Sequence, residues 1–121
     1  MPIKYQVPTL IIKKRYNRKA VNNLAIFGTI TKNAASLIPL NIKEIVLEIH
    51  PETLYDPLII VIRTPSLTDR HLSTLTKGYK CSYTRSFSKT FDNDITDQVK
   101  EGEYELVMID SDLWHASLIL K

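Results

Sequence analysis

The chain has 121 residues, of which 44% are hydrophobic and 24% are charged, so its composition is that of an ordinary folded protein and excludes wholesale disorder. A length of this order suits one domain, and we expect residues 1–121 to form a single unit. The one cysteine, Cys81, excludes an internal disulfide, and no apolar run approaches the roughly 18 residues of a membrane span. We therefore expect an intracellular protein, cytoplasmic or nuclear, that is neither secreted nor membrane-spanning.

The charges are distributed unevenly along the chain. The first 43 residues hold eight lysines and arginines and no carboxylate, whereas the remaining residues hold eight cations and 13 acidic residues. The formal charges of the two parts are therefore +8 and −5, which combine to the net charge of +3. Such asymmetry indicates a polyanionic partner, either nucleic acid or an anionic membrane surface.

Period-two alternation and many β-branched residues predict a mostly β chain of about seven strands, folded as a β-sandwich or a barrel-like sheet. In chain order, the predicted strands are residues 9–16, 24–32, 42–50, 58–62, 79–91, 104–110 and 114–120. Residues 58–62 are five consecutive aliphatic side chains, which predicts a strand covered on both faces near the centre of the sheet.

One short helix is predicted over about residues 66–77. Ser66 and Asp69 have the spacing of a capping box, the leucines that follow can share one face, and Gly78 stands where such a helix would end. The polar, acidic segment 92–102 is predicted to be a mobile loop.

The first candidate site is a cluster of five cations within seven positions, at the end of the first predicted strand and in the turn after it. These cations are Lys13, Lys14, Arg15, Arg18 and Lys19. Such a cluster attracts phosphates through long-range attraction and counterion release, without an exact geometry. It is predicted to bind nucleic acid or an anionic membrane, and the alternative is that the side chains are solvated around an exposed hairpin.

The second candidate site is one face of the predicted strand 79–91, where aromatic and basic side chains alternate with small polar ones. Its members are Tyr79, Tyr83, Arg85, Phe87 and Lys89. An exposed face of this kind would be a stacking platform for unpaired bases. The favoured interpretation is a buried face, with the arginine and lysine heads reaching water at an edge.

The third candidate is the acidic tract between Asp92 and Glu105. It lacks the glycine and the glutamate that a calcium-binding loop needs at fixed positions, so solvated loop charge is the simpler interpretation. The tract could also meet the basic opening segment of another copy of the chain, which predicts a salt-sensitive homo-oligomer.

The sequence contains no recognisable catalytic, cofactor-binding or metal-binding motif. His50, His71 and His115 have no metal-ligand spacing with one another or with Cys81. There is likewise no glycine-rich phosphate loop and no nucleophile elbow. The chain is therefore predicted to be non-enzymatic and to need no cofactor.

Together these features predict a binding and assembly module with a basic surface, such as a small viral structural protein of the matrix type or a viral accessory protein. One alternative is a protein-binding adaptor or inhibitor that acts through a sheet edge and aromatic anchors. The candidate anchors are Tyr5, Tyr16, Tyr55 and Trp114. Another alternative is a small hydrolase or nuclease, which would need Glu44, Glu48 or Asp110 to converge with a histidine.

Overall fold

The computed structural model describes residues 7–16, 24–39, 41–77 and 84–119. Within these ranges the chain forms nine β-strands, one 3₁₀ helix and one short α-helix. The strands are β1 (Thr9–Tyr16), β2 (Leu24–Ile30), β3 (Glu44–His50), β4 (Ile59–Arg63), β5 (Ser73–Thr74), β6 (Thr76–Lys77), β7 (Arg85–Thr90), β8 (Gly102–Asp110) and β9 (Leu113–Leu118). The 3₁₀ helix spans Lys32–Leu37, and α1 spans Asn93–Gln98.

The strands form one antiparallel sheet in the spatial order β5-β3-β4-β9-β8-β1-β2-β7-β6. The two ends of this order come together, because β5 and β6 are consecutive parts of one extended segment. β5 pairs with β3, and β6 pairs with β7. Residues 73–77, which we call the bridging segment, therefore close the sheet into a nearly complete barrel.

The prediction of a mostly β, barrel-like sheet is confirmed, and six of the seven predicted strands are present with differences of about two residues at their ends. The seventh, predicted over residues 79–91, is found as β7 from Arg85 to Thr90, and residues 79–83 lie outside the described part of the chain. The two extra strands, β5 and β6, are two residues each. β4 lies between β3 and β9, and its residues Ile60, Val61 and Ile62 are buried on both faces, as the aliphatic run predicts. Within the described residues, no helix has the length and apolar character needed to cross a membrane.

One end of the barrel is filled by the 3₁₀ helix and the residues after it. Ala34 and Ile38 are fully buried there and pack in the same core as the inward side chains of the strands. Trp114 of β9 is also fully buried, and its Nε1 donates a hydrogen bond to the Leu37 carbonyl at 2.9 Å. This end, which we call the plugged end, is therefore tied to the sheet by a core side chain.

The prediction of a short helix over residues 66–77 is wrong, because residues 67–68 form a turn and the bridging segment follows. Half of the capping box does form, since the Asp69 carboxylate accepts a hydrogen bond from the Ser66 backbone N–H at 2.7 Å. The same carboxylate also accepts two hydrogen bonds from Arg63, at 2.8 and 2.9 Å. These contacts hold the turn against β4, and pairing with β3 and β7 then extends the chain.

The acidic segment 92–102 contains α1 and is not simply a loop, which corrects the second local prediction. The backbone N–H groups of Ile95 and Thr96 both donate to the Asp92 carbonyl at 3.0 Å. Thr96 and Val99 are buried, whereas Asp94 and Asp97 are exposed. Two small buried side chains are a weak helical signal in a polar sequence, so the periodicity does not reveal this helix.

Candidate functional site: a basic groove on the barrel wall

β1 places its side chains alternately inside and outside the barrel. Leu10 and Ile12 point inward and are fully buried, so Lys13 and Arg15 lie on the outer face, where both are exposed. Lys14 belongs to the inward set and is half-buried. The alternation therefore divides the predicted basic cluster. Arg18 and Lys19, which complete it, lie outside the described residues.

The pairing of β1 with β2 and of β2 with β7 builds a groove beside the two exposed cations. Phe27 lies opposite Lys13, and Thr29 lies between Ile11 on one side and Ser86 on the other. The groove has a volume of about 230 Å³. We call it the basic groove, and it is lined by Ile11, Lys13, Arg15, Phe27, Gly28, Thr29 and Ser86.

The backbone of Gly28 lines the basic groove. A larger residue does not fit at this position. A Cβ atom at this position would point into the barrel and lie 2.1 Å from Cζ of Phe87, its partner on β7. The Phe87 ring therefore packs directly against the backbone of β2. This close approach fixes β2 against β7 immediately behind the groove.

The positive charge of the basic groove is not neutralised by ion pairing within the described part of the chain. The ion pairs found there are centred on Glu48 and Arg63, and none involves Lys13 or Arg15. The Arg15 guanidinium instead lies 5.6 Å from the centroid of the Phe27 ring, which is within cation–π range. Two exposed cations on β1 therefore lie beside a half-buried aromatic ring on β2.

Acidic side chains border the groove on the β8 side. Glu103 lies opposite Ile11 in the pairing of β1 with β8. The Glu101 carboxylate accepts a hydrogen bond from the Lys14 backbone N–H at 3.1 Å, which extends the contact of β1 beyond its ladder with β8. The groove is thus a basic channel with one acidic margin, and the β7 side carries serine and threonine instead.

Two members of the second candidate site lie inside the barrel. Phe87 is 3% exposed and Arg85 is 4% exposed, so neither belongs to a solvent-facing stacking platform. Lys89 is half-buried, and its Nζ donates to the Leu47 carbonyl at 3.2 Å across the gap between β7 and β3. Tyr79 and Tyr83 lie outside the described residues.

Arg85 is a buried cation whose guanidinium donates hydrogen bonds to three backbone carbonyl groups. Its Nη1 donates to the Pro39 carbonyl at 3.2 Å and to the Ile42 carbonyl at 2.9 Å, and its Nη2 donates to the Ile38 carbonyl. Burial lowers the pKa of the guanidinium, which still stays protonated because arginine begins far above neutral pH. Arg85 therefore ties β7 to the plugged end, a role that alternation alone does not reveal.

A separate polar cluster lies on the outer face of β3 and β4. Arg63 Nε donates to Glu48 at 2.8 Å, and its two Nη groups bind Asp69. The hydrogen bonds from Arg63 hold the pKa of the Asp69 carboxyl well below its usual range and also lower the pKa of Glu48. The same bonds raise the pKa of Arg63. This cluster fixes the turn after β4 and shares no residue with the basic groove.

The convergence that a hydrolase would need is only partly found. Glu48 Oε2 lies 3.4 Å from His50 Nε2, but both side chains are on the outer wall and the other Glu48 oxygen is bonded to Arg63. Among the described residues, no three side chains of His, Cys, Asp or Glu are arranged to hold a metal ion.

A second cleft, of about 290 Å³, opens at the end of the barrel opposite the plugged end. It is lined by Glu52, Pro57, Leu58, Gln98, Lys100, Tyr104, Ser117 and Leu118. The Tyr104 hydroxyl donates to the Lys100 carbonyl at 2.6 Å, and burial raises the pKa of the phenol. Because its rim carries both signs of charge, this cleft lacks the polyanion preference of the basic groove.

The aromatic anchors expected of an adaptor differ in their exposure to solvent. Trp114 is fully buried and belongs to the core, which corrects its assignment as an interface residue. Tyr55 is 88% exposed in the turn between β3 and β4. Tyr5 and the side chain of Tyr16 lie outside the described residues.

Comparison of the chain with protein-family models, with curated proteins and with solved structures finds no match. A functional assignment must therefore come from the geometry and charge of the chain's own residues.

Proposed function

We propose that the protein is a non-enzymatic binding module that holds a polyanion in the basic groove. The observation that supports this most directly is the pair of exposed cations, Lys13 and Arg15, which share one outer face beside a concavity. Neither takes part in the ion pairs found among the described residues. A bound anion would supply an ionic partner that these described ion pairs do not.

The groove offers chemistry that suits phosphate groups. The planar guanidinium of Arg15 can donate two parallel hydrogen bonds to a phosphate, and Lys13 adds a compact point charge. The hydroxyl groups of Thr29 and Ser86 line the same groove and can donate to anionic oxygens. The +8 charge of the first 43 residues would extend the attraction beyond the groove itself.

The experiment is a binding titration of the purified chain with three labelled probes: a short RNA, heparin, and liposomes that contain phosphatidylserine. We expect the double variant Lys13→Ala with Arg15→Ala to lose at least about tenfold in affinity, and its slope of log affinity against log salt to become shallower by about two.

The matched control is Lys43→Ala with Arg70→Ala, which removes the same charge at two exposed residues that do not line the groove. It should retain most of the affinity. Equal losses in the two double variants would mean that only net charge matters. The absence of binding to all three probes at low salt would contradict the proposed function.

Self-association forms part of the same proposal. The exposed carboxylates of α1 in one copy are complementary in charge to the basic groove of another copy. A viral matrix-type or accessory protein that assembles on a polyanion would use such a contact. Heparin should then compete with self-association, and the mass in solution should fall as salt is raised.

A second candidate function, a protein-binding adaptor, is favoured by one apolar surface. Val107, Met108 and Ile109 near the end of β8 are 44%, 52% and 52% exposed, and the described pairing of β8 with β1 stops at Glu105. Binding of a protein partner that persists at high salt, without affinity for any polyanion, would favour this function over the first.

A further inference from the structure

We propose that the basic groove is specific for single-stranded nucleic acid, with an unpaired base stacked at Phe27 between phosphates held by Lys13 and Arg15. This inference rests on the proposed function and narrows it from polyanions in general to one class. The stacking ring is thus on β2, and not on the strand 79–91, for which a stacking platform is the less favoured interpretation.

The first argument is the position of the ring beside the two cations. Lys13 lies directly opposite Phe27, so their Cβ atoms are about 5 Å apart. The Arg15 guanidinium lies over the ring, 5.6 Å from its centroid. A face that accepts one planar group can accept another, and a base can stack on the ring or on the guanidinium.

The second argument is the open side of the ring. On β7, the residues opposite Phe27 and Thr29 are Ser88 and Ser86. Their short side chains leave space beside the ring, where bulky residues would close the channel. Their hydroxyl groups can also donate to and accept from the edge of a base or a sugar.

The third argument is the shape of the groove. It crosses three neighbouring strands, which span about 10 Å, the width of one extended strand of nucleotides but narrower than a duplex. Duplexes are read by elements that protrude into a groove of the helix, whereas this site is concave.

The same shape argues against a membrane surface as the partner. Peripheral membrane binding needs apolar side chains that project into the interface. The apolar side chains of this site, Ile11 and Phe27, are half-buried in the groove and do not project from it.

The test compares Phe27→Leu with the wild-type chain on four probes: an oligouridylate of about 12 nucleotides, an RNA duplex of equal length, heparin, and phosphatidylserine liposomes. Phe27→Leu keeps apolar volume but removes the ring. We expect it to weaken oligouridylate binding about tenfold and to change heparin binding by less than about twofold. Lys13→Ala with Arg15→Ala should weaken both.

A second variant, Phe27→Trp, keeps an aromatic face and supplies a fluorescent reporter at the site. It should bind oligouridylate about as well as the wild-type chain, and its added fluorescence should be quenched on binding. Because its readout is local, this variant tests stacking even if Phe27→Leu proves unstable in a thermal melt.

The outcomes separate the two proposals. Equal weakening of heparin and oligouridylate by Phe27→Leu, or unquenched fluorescence of Phe27→Trp in the bound state, would overturn stacking while polyanion binding stands. A preference for duplex RNA or for liposomes would also overturn it. Failure of Lys13→Ala with Arg15→Ala to weaken any probe would overturn the proposed function itself.

Discussion

At the scale of single residues, Gly28 is required because its neighbour Phe87 leaves no room for a side chain. Its backbone conformation is ordinary for a strand. Among the described residues, Gly102 has a positive φ, and Gly28 does not. What excludes a side chain is the Phe87 ring, which touches the backbone where a Cβ atom would be. Phe87 is thus a packing constraint on the wall that carries the basic groove.

We predict that Gly28→Ala destabilises the protein by about 1–3 kcal/mol, because the added methyl group overpacks a filled interior. Urea unfolding of the purified variant measures this. The control is the double variant Gly28→Ala with Phe87→Leu, in which the shorter side chain leaves room. If the alanine costs as much beside Leu as beside Phe, contact with the ring is not the cause.

Arg85 is the other residue whose role lies in a single set of contacts. We predict that Arg85→Met costs about 3 kcal/mol, because carbonyl groups at the plugged end lose their donors while the buried volume is kept. Chemical denaturation checks the value, and Lys77→Met, at an exposed position of β6, is the matched control. A loss no greater than that of the control would show that the carbonyl groups find other donors.

At the scale of elements, the turn after β4 owes its shape to charge. Asp69 bonds both Arg63 and Ser66, and these bonds lower its pKa from the usual 3.8. A carboxyl group whose pKa is lower in the folded state contributes stability that is present above its unfolded pKa. That contribution is lost as the pH falls through the folded value.

We therefore predict that Asp69→Asn destabilises the protein at neutral pH, and that the difference from the wild-type chain shrinks as the pH falls below about 4. The measurement is the unfolding midpoint of both chains across this range. Asp56→Asn, in the exposed turn between β3 and β4, is the control. A difference that does not change with pH would contradict the role of the charge.

The same elements show why local sequence patterns succeed in some places and fail in others. The bounds predicted for β1 are correct, because the inward positions of Leu10 and Ile12 alternate with the outward positions of Ile11, Lys13 and Arg15. The pattern over residues 66–77 favours a helix, but long-range contacts of Asp69 and of the bridging segment override it. Local propensity is a weak prior wherever such contacts form.

The groove itself could be predicted only in part. The exposure of Lys13 and Arg15 follows from the period of β1. The presence of Phe27 beside them depends on the register between β1 and β2, which composition does not give. Nor does the sequence indicate that Arg85 is buried, because its donors are satisfied by carbonyl groups far away along the chain.

At the scale of the whole molecule, the barrel converts an asymmetry along the sequence into an asymmetry of surface. β1 belongs to the basic opening part of the chain, whereas β8, its neighbour, belongs to the acidic part. The border between the two strands is therefore also a border between charges. Under the proposed function, we expect this arrangement to steer a polyanion toward the β2 side of β1, and to do so less at high salt.

The bridging segment affects how readily the barrel opens. It closes the barrel with two residues paired on each side and one backbone bond from Leu75 to the Lys43 carbonyl, at 2.8 Å. Local opening of so short a bridging segment would expose the hydrogen-bonding edges of β3 and β7. Exposed strand edges pair with strands of other molecules and lead to aggregation. The lifetime of the closed barrel thus depends on five residues, of which Leu75 packs in the core.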